Sequence, residues 1–375
     1  MAEVNTGKTI IVHPFLKYYG GAEAMLSVLA HSVFPESDIF TFAYDKAVLD
    51  QLGIVESRVK SPFRDTMWSK YYREMSLFYP SLIESELWEG YDNIISLSYA
   101  YVHGLISQPD QFHTSFILTP MRLLWLGEED RFWANKYPVM RHFYQKVLSQ
   151  QRLWDAAAAN RPDQLVAISE EVQSRIKSFW GRDSQVIYPP VDVEFFRPKE
   201  QVKKKDYFIT HARLVRHKRI DLMIQACIAL KKKLIIIGEG PLFPELQELA
   251  GKSEYITFSG FLTDPDKRFL IQQAKGYLFA SNEDFGISPV EAISAGTPVL
   301  AYRKGGALET VQAGVSGMFF DNQTIESITE GIVRFEKAID AGKFSSKMSE
   351  TTEKFSSKHF IASVQKLFTS TSKGL

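Results

Sequence analysis

The sequence predicts an α/β protein made of two doubly wound domains, each built on a parallel sheet. Three observations favour this fold class. Short apolar runs alternate with helical segments in both halves of the chain, which is the pattern of parallel sheets. A length of 375 residues exceeds the usual size of one domain. The proline pair Pro189-Pro190 and residues 196–205 have the composition of a linker and lie near the middle of the chain.

The domain boundaries follow from this linker composition. The N-terminal domain is predicted to span residues 1–190 and the C-terminal domain residues 191–355. Residues 356–375 are predicted to form a helix that packs back on the N-terminal domain. Because ligands of doubly wound sheets bind beyond the carboxyl ends of the strands, we expect a site in a crevice between the two sheets.

The N-terminal half begins with an apolar strand at residues 8–13. Gly20 and Gly21 follow it and open a helix, an arrangement that suits a phosphate because free N–H groups point out of a helix start. The G-x-G-x-x-G fingerprint of dinucleotide-binding domains is absent from this loop. Further strands are predicted at residues 38–42, 93–98, 115–118 and 165–169, with a helix at 171–180 that Ser169 caps.

The C-terminal half repeats the alternation. Strands are predicted at residues 207–210, 233–237, 256–258, 277–280, 298–301 and 317–320. Helices are predicted at residues 219–230, 244–250 and 265–274, and from Val290 onward. His211, Gly238 and Glu283 fall at the carboxyl ends of three of these strands, where a doubly wound sheet binds its ligand.

Residues 282–295 form the centre of the predicted site. A buried strand, a loop with Gly286 and a helix start follow one another here, so free N–H groups and the positive end of a helix dipole point at one spot. Glu283 and Glu291 flank this spot, with Glu291 expected in the first helical turn. Because a phosphate repels acids, we expect both to hydrogen-bond sugar hydroxyls. The alternative is a plain loop with an acid that favours a helix N-terminus.

Composition excludes several classes of protein. The 44 basic and 44 acidic residues give a net charge of zero, so bulk electrostatics offers no indication of a nucleic-acid partner. The single cysteine, Cys227, excludes an internal disulfide and a cysteine-cluster metal site, and we expect it in the core. No apolar stretch approaches the roughly 20 residues of a bilayer span. With no signal peptide visible at residues 1–8, we expect a cytoplasmic protein.

An aromatic and basic stretch at residues 58–79 stands apart from this pattern. Large apolar side chains such as Phe63 and Trp68 alternate there with basic ones such as Lys60 and Arg64. The composition suits peripheral contact with an anionic membrane surface, or a lipid-linked or glycan acceptor. The alternative is an amphipathic helix that packs on the core with its basic residues outward.

Several motifs together resemble a known family. In chain order they are Gly20-Gly21, Arg213 and Lys218, Gly238-Glu239-Gly240, Glu283 to Glu291 with Phe285-Gly286-Ile287 inside, Ala295 to Val299, Gly305-Gly306 and Glu309 to Val311. This set resembles the retaining glycosyltransferases of family 4, which have the two-Rossmann-domain fold called GT-B. Thr119 to Arg122 with Trp125, and Val186 to Asp192, are similar to the mannosyltransferase-like branch used in bacterial surface polysaccharide assembly. The resemblance is strong over the second half and looser over residues 35–110.

The resemblance implies a role for each matched residue. Arg213 and Lys218 would bind the donor diphosphate and stabilise the leaving group, although the two residues alone also fit a solvated basic face. Glu291 would hold the ribose hydroxyls of the nucleotide, and Glu283 would contact the transferred sugar. Gly20 and Gly21 would let the backbone of the first domain close on the diphosphate. Gly238 and Gly240 would leave room for the base. The loop would place its backbone N–H groups near the phosphate and the sugar, at Phe285, Gly286, Ile287 and Ser288.

Family members transfer with retention and without a dedicated protein nucleophile. Positioning and charge stabilisation then supply most of the catalysis. We therefore predict an enzyme that needs no metal and no cofactor besides its nucleotide-diphosphate sugar. The one D-x-D sequence, Asp264-Pro-Asp266, is interpreted as a helix start capped by Thr263 or Asp264.

Two departures from the family pattern bear on the donor sugar. Leu118 stands where related sequences carry a histidine before T-P-M-R, and Tyr99 replaces a second histidine, with His103 nearby as a substitute. Because an apolar side chain leaves a buried hydroxyl unpaired, we hypothesise a 6-deoxyhexose donor on GDP or TDP, with GDP-mannose as the conventional alternative. The expected acceptor is a glycan or a polyprenyl- or other lipid-linked molecule.

Other functions remain open at this point. One is a GT-B protein that binds a nucleotide sugar without transferring it and serves as a partner subunit. The presence of Arg213, Lys218, Glu283 and Glu291 argues against it. Another is a GT-B epimerase or phosphorylase, although no lysine has a convincing context for binding pyridoxal phosphate.

Overall fold

The computed structural model describes residues 7–64, 71–72, 74–126, 141–198, 200 and 202–371. The chain divides into two compact units. The N-terminal unit comprises Met1–Pro190 together with Phe360–Leu375, and the C-terminal unit comprises Val191–His359.

The N-terminal unit is built on a parallel sheet of seven strands. These are β1 (Thr9–Leu16), β2 (Asp38–Tyr44), β3 (Val59–Lys60), β4 (Asn93–Ser98), β5 (Phe112–Ile117), β6 (Gln164–Ala167) and β7 (Gln185–Val186). Their order is β3-β2-β1-β4-β5-β6-β7, and every pair is parallel. Ile10, Ile11 and Val12 are at most 1% exposed. Strands buried on both faces are continuous apolar runs, which is why the sequence showed them clearly.

Helices connect these strands. They are α1 (Gly21–Val28), α2 (Lys46–Leu52), α3 (Tyr79–Ser85), α4 (Arg122–Trp125), α5 (Arg141–Ala158) and α6 (Glu170–Trp180). Ser169 caps α6 as predicted, because its hydroxyl accepts the Val172 N–H at 3.0 Å. A π-helical turn, Leu29–Val33, extends α1.

The aromatic and basic stretch is not one helix in its described part. Glu56–Arg58 is a 3₁₀ turn, and Val59–Lys60 pairs with β2, so the amphipathic-helix alternative is wrong for this end. Phe63 is buried, whereas Leu77 and Phe78 are 50% and 61% exposed. Residues 65–70 and 73, which include Trp68, lie outside the described residues.

The C-terminal unit is built on a parallel sheet of six strands. These are β8 (Lys205–His211), β9 (Leu234–Ile237), β10 (Ile256–Gly260), β11 (Ala274–Phe279), β12 (Val299–Tyr302) and β13 (Gly317–Phe320). Their order is β10-β9-β8-β11-β12-β13. The chain therefore builds one half of the sheet outward from β8, and then returns to build the other half from β11.

The helices of this unit pack on both halves of the sheet. They are α7 (Val193–Phe196), α8 (Ile220–Ala229), α9 (Phe243–Ala250), α10 (Asp264–Gln273), α11 (Ile287–Ser294), α12 (Ala307–Thr310) and α13 (Ile325–Asp340). Cys227 of α8 is fully buried, as predicted, and burial raises the pKa of its thiol to about 12. The α8 residues Ile224 and Cys227 share one apolar cluster with Ile332 and Phe335 of α13.

The last helix, α14 (Ser357–Thr371), belongs to the N-terminal unit from Phe360 onward. Its Phe360 ring lies 6.4 Å from the ring of Phe116 on β5. Phe368 lies 5.1 Å from Phe34. In the described part of the chain, none of the helices combines the length and the apolar character that crossing a membrane requires.

Candidate functional site

The order of the C-terminal sheet reverses between β8 and β11, which lie side by side. In doubly wound sheets the ligand binds beyond the carboxyl ends of the strands at such a reversal. His211 is the last residue of β8, and Asn282 and Glu283 follow β11 after two residues. The side chains around these two strand ends form the candidate site, and all of them belong to the C-terminal unit.

Lys218 and Glu283 form an ion pair at this edge. The Lys218 Nζ lies 2.6 Å from Oε1 of Glu283, and the two side chains are 18% and 19% exposed. Burial opposes ionisation of Glu283, but the Lys218 ammonium outweighs it, so the pKa of Glu283 lies below its ordinary value. The structure therefore joins two of the predicted site residues in one charged pair.

Glu291 belongs to a second charged group. Its Oε2 lies 2.6 Å from Nε2 of His211, and its Oε1 accepts from Lys267 at 3.4 Å. Burial of the carboxyl is again outweighed, chiefly by His211 and then by Lys267, so the pKa of Glu291 is held below its ordinary value. Lys267 also lies 3.0 Å from Asp264.

The expected helical position of Glu291 was wrong by one turn. Helix α11 begins at Ile287 with Gly286 as its N-cap, so Pro289 lies inside the first turn and Glu291 falls after it. Proline is tolerated there because the first N–H groups of a helix have no partner within the helix. The carboxylate still faces the candidate site, through His211 of the neighbouring strand.

Tyr277 holds the end of β8. Its phenol oxygen accepts the His211 N–H at 3.0 Å and its O–H donates to the His211 carbonyl at 3.1 Å. Burial raises the pKa of this fully buried phenol, so it stays protonated and able to donate. The backbone of His211 is therefore fixed relative to β11.

Gly238 and Gly240 lie against the backbone that follows β8. A Cβ on Gly238 would stand 2.1 Å from the Ala212 carbonyl oxygen, and one on Gly240 would stand 2.4 Å from that of Leu214. Gly238 also has φ +124°, a conformation that only glycine adopts readily. Both glycines thus pack against the backbone of the segment that contains Arg213. This close packing is a reason for glycine at both positions, and it differs from the prediction that the glycines leave room for a base.

Comparison with known proteins identifies this part of the chain. Residues 192–355 match the family model of the glycosyl transferases group 1. The C-terminal unit is a glycosyl transferases group 1 domain. The resemblance noted from the motifs is confirmed.

Two relatives have curated names. The chain is 28% identical over 200 residues to a GDP-mannose-dependent alpha-(1-6)-phosphatidylinositol monomannoside mannosyltransferase of Mycobacterium tuberculosis, a match covering 45% of this chain and 51% of the relative. It is 26% identical over 225 residues to an alpha-1,3/1,6-mannosyltransferase of Homo sapiens, covering 52% of this chain and 54% of the relative. The chain spans about half the length of these curated relatives.

The fold is shared with solved structures. Anabaena HepE, crystallised in complex with UDP, superposes with a TM-score of 0.70 over 98% of this chain and 100% of its own, at 19% identity. An identity this low bears on the fold alone. With the two sheets described above, it confirms the predicted fold class, two Rossmann-like domains of the GT-B type.

The remaining predicted residues of the group 1 domain lie close to these pairs in sequence. Arg213 is exposed directly after β8 and precedes the 3₁₀ turn Arg216–Lys218. Phe285 is buried, with its ring 5.2 Å from that of Phe355, and Gly286 has φ +91°. Ile287 and Ser288 form the first turn of α11. The roles predicted for them are taken up below as proposals.

The interpretation of Asp264-Pro-Asp266 as a helix start is confirmed. Thr263 is the N-cap of the group 1 domain's helix α10, and its hydroxyl oxygen accepts the Asp266 N–H at 3.4 Å. Pro265 lies in the first turn. Asp264 contributes instead to the charged group around Glu291, through Lys267. Over the ranges that the structure describes, no three His, Cys, Asp or Glu side chains are grouped to hold a metal ion.

In the N-terminal unit, Gly20 and Gly21 start α1, with Gly20 in extended backbone as its N-cap. The nearby Glu23 carboxyl is 8% exposed and lies 3.8 Å from His13. Burial raises the pKa of Glu23 to about 7. Hydrogen bonds from the backbone N–H groups of Glu23 and Gly20 lower this pKa, but their effect is smaller than that of burial. Burial also lowers the pKa of His13 to about 3, so the two are not a strong ion pair near neutral pH.

Replacing Glu23 by glutamine is expected to stabilise the protein at pH 8 but not at pH 4.5. The raised pKa means that the folded state binds a proton more tightly than the unfolded state, so stability falls as the pH rises from about 4.5 through about 7. The full loss is at most about 3 kcal/mol, and glutamine avoids it because it stays neutral. Urea unfolding of both proteins from pH 4.5 to 8 measures this, with the exposed Glu36→Gln as control. Parallel pH profiles for wild type and Glu23→Gln would contradict it.

The structure describes the surroundings of the three residues on which the 6-deoxyhexose hypothesis is based, Tyr99, His103 and Leu118. Tyr99 donates to the Phe15 carbonyl at 3.4 Å, and its ring meets His13 edge-on. His103 is 2% exposed, with Nδ1 3.0 Å from the Ser98 hydroxyl and Nε2 3.4 Å from Asp155. These contacts give His103 a structural role, so its predicted use as a substitute sugar-binding histidine finds no support. Leu118 directly follows β5.

Proposed function

We propose that the protein is a retaining glycosyltransferase, which transfers a hexose or 6-deoxyhexose from a nucleoside diphosphate sugar to a glycan or lipid-linked acceptor. The observation that carries the proposal is the set of paired charges at the switch point of the group 1 domain. Lys218 is paired with Glu283, and Glu291 with His211 and Lys267. Two relatives named as mannosyltransferases and a neighbour crystallised with UDP support the same class of substrate.

The Lys218–Glu283 pair suits a site that is filled by a charged ligand. An incoming diphosphate attracts Lys218 and repels Glu283, so the pair separates when the donor binds. Lys218 and the exposed Arg213 then neutralise the charge that builds on the leaving diphosphate. The released Glu283 is an acceptor for hydroxyls of the transferred sugar.

The start of α11 provides a further site of positive polarity for the diphosphate. Helix N-termini present N–H groups and a positive dipole end, which favour an anionic group. This start comprises the N-cap Gly286 with Ile287 and Ser288, preceded by Phe285, and it follows Glu283 after Asp284. With Arg213 and Lys218 they stabilise the diphosphate as it leaves, and the leaving group takes the acceptor's proton on the same face. In this mechanism no metal and no cofactor besides the donor is required.

Features of the N-terminal unit support a proposal for the acceptor and for where in the cell the protein acts. Gly20 and Gly21 start a helix beyond β1, as a loop that closes on a diphosphate does. Leu77 and Phe78 are exposed within the aromatic and basic stretch, which supports peripheral contact with an anionic inner-membrane surface. The protein would then act in the cytoplasm on a polyprenyl- or other lipid-linked acceptor in surface glycan synthesis.

Replacing Glu291 by alanine is expected to weaken nucleotide binding by about 10- to 100-fold, the usual value of hydrogen bonds to a charged group. Calorimetric titration with GDP, UDP, TDP and their sugars, with EDTA present, measures this and names the base. Glu336→Ala is the matched control, because Glu336 is similarly buried and paired with Lys232 and Lys275.

The outcomes separate the functions that the sequence left open. Binding without transfer to any acceptor would favour the partner subunit, and sugar isomerisation without an acceptor would favour an epimerase. No binding by folded wild-type protein would overturn the proposed function. Binding that is seen in a parallel titration without EDTA and is lost with EDTA would contradict the proposed metal independence.

A further inference from the structure

We infer that the N-terminal unit contains a second binding site, which takes one neutral sugar ring in a cavity near the amino ends of β1 and β4. The cavity has a volume of about 260 Å³. Its apolar wall consists of Ile10 and Phe40 of the sheet together with Pro62 and Leu87. Most small-molecule sites measure about 300–1,000 Å³, so this smaller volume suits a single ring better than a nucleotide.

This cavity is separate from the sites proposed above. Ile10 is the second residue of β1, and Tyr91, which also lines the cavity, lies two residues before β4. Gly20 and Gly21 follow the other end of β1, which Leu16 closes six residues after Ile10. At about 3.3 Å per residue, the two ends of the strand are about 20 Å apart. The inference therefore does not rest on the proposed function.

Trp88 supplies a hydrogen-bond donor that the protein leaves unused. The residue is 3% exposed and lines the cavity. In the part of the chain that the structure describes, its buried Nε1 has no hydrogen-bond partner. Phe40 meets the indole edge-on with the ring centres 5.2 Å apart, and Gln111 donates to the Trp88 carbonyl at 2.5 Å, so the residue is held in place. Because a buried donor without a partner is costly, a ligand that accepts from this N–H is favoured.

Glu86 supplies an acceptor in a similar state. Its carboxyl is half-buried at the same cavity, and burial raises its pKa above the ordinary value. Over the described ranges, this carboxyl makes no hydrogen bond and no ion pair. A ligand hydroxyl can donate to it, while another hydroxyl accepts from the indole of Trp88.

The charges around the cavity disfavour a charged ligand. Lys60 also lines it, with Nζ 4.0 Å from Asp38 and 4.8 Å from the centre of the Tyr91 ring. A cation in the cavity would be repelled by Lys60, and an anion would be repelled by the carboxylate of Glu86. A neutral ligand with several hydroxyls avoids both costs and can still use the ammonium as a donor.

A sugar ring combines the features that this cavity requires. Its C–H groups can pack on the apolar wall, while the hydroxyls at its rim both donate and accept. The unused donor of Trp88 and the unused acceptor of Glu86 would then fix its orientation. An apolar lining with a few polar groups that orient the ligand is the usual composition of a small-molecule site.

The test is a titration of the full chain, labelled with ¹⁵N at tryptophan, with methyl α-mannopyranoside, followed through the indole N–H signals. Trp88→Phe and Trp154→Phe each remove one signal and so assign it. The Trp88 signal is expected to shift and to saturate with a Kd of about 1–10 mM. The Trp154 signal should stay in place, because its Nε1 already donates to Glu84 at 2.7 Å.

Two matched variants and three further probes make the test specific. Glu86→Ala should weaken binding by about 10-fold or more, since it removes the acceptor. Glu89→Ala is the control and should match wild type, because Glu89 is an exposed acid of the same segment that does not line the cavity. Glucuronate, glucosamine and glycerol should each bind at least about 10-fold more weakly, the first two because they are charged and the third because it has no ring.

Each outcome decides the inference. A Trp88 signal that does not move, a shift that does not saturate, or equal binding by Glu86→Ala and wild type overturns it. Tighter binding of either charged sugar overturns a neutral ligand, and an equal response to glycerol overturns a ring. If Trp88→Phe does not fold, saturation transfer to the sugar protons in wild type, Glu86→Ala and Glu89→Ala decides instead. All six tryptophans precede Val191, so these signals report on the N-terminal unit and leave the proposed function to its own nucleotide titrations.

Discussion

Replacing Lys218 by methionine is expected to reduce kcat/KM for sugar transfer by about 10²- to 10⁴-fold. Lys218 supplies positive charge where the diphosphate leaves, and this charge matters most in the transition state. The substitution also leaves Glu283, 19% exposed, without its partner at 2.6 Å. That should lower the free energy of unfolding by about 1–3 kcal/mol. Initial rates and urea unfolding measure the two effects.

A second substitution separates these effects. Glu283→Gln in the Lys218→Met background removes the unpaired charge, so stability should recover while transfer stays lost. The matched control is Lys232→Met, because Lys232 pairs with Glu336 at 2.7 Å in the same unit. Recovery of transfer in the double variant would mean that Lys218 acts only by supporting the fold, which would contradict its proposed catalytic role.

Replacing Gly238 by alanine is expected to destabilise the C-terminal unit by about 3 kcal/mol and to abolish nucleotide binding. The new Cβ would meet the Ala212 carbonyl at 2.1 Å, in a backbone with φ +124°. Because Ala212 joins His211 to Arg213, relief of this contact displaces the end of β8. Thermal unfolding and nucleotide titration measure the two losses.

Gly314→Ala separates close contact from backbone strain. Gly314 has φ +78° and no atom within 4 Å of the added Cβ, so its alanine variant suffers the strain alone. We expect a cost of about 1 kcal/mol there and unchanged nucleotide binding. If the two alanine variants behaved alike, the contact with Ala212 would have no special part in shaping the site.

Most strands of both sheets could be predicted because parallel strands are buried on both faces. Runs such as residues 10–12 and 234–237 are apolar throughout, and an amphipathic helix does not share that pattern. The short strand Val59–Lys60 was missed. Its two residues are too few to show a period, and they lie at the edge of a stretch whose aromatic and basic composition dominates the sequence there.

The two acids of the candidate site could be located from the sequence, but their partners could not. Glu283 and Glu291 could be found because strand, loop and helix follow one another locally. Their partners depend on the order of the strands, which places β8 beside β11. His211 was placed at a strand end without a role, and Lys267 was not singled out. Sequence spacing alone contains no signal that joins either of them to Glu291.

The reversal of strand order between β8 and β11 also affects the synthesis and folding of the C-terminal unit. The bonds between Tyr277 and His211 join residues 66 positions apart. A ribosome that has released the chain as far as Gly260 has supplied Lys218 and the first half of the sheet, but neither of the acids. Long-range contacts of this kind are associated with slower folding. The charged pairs of the candidate site therefore require β11 and α11 to be in place beside β8.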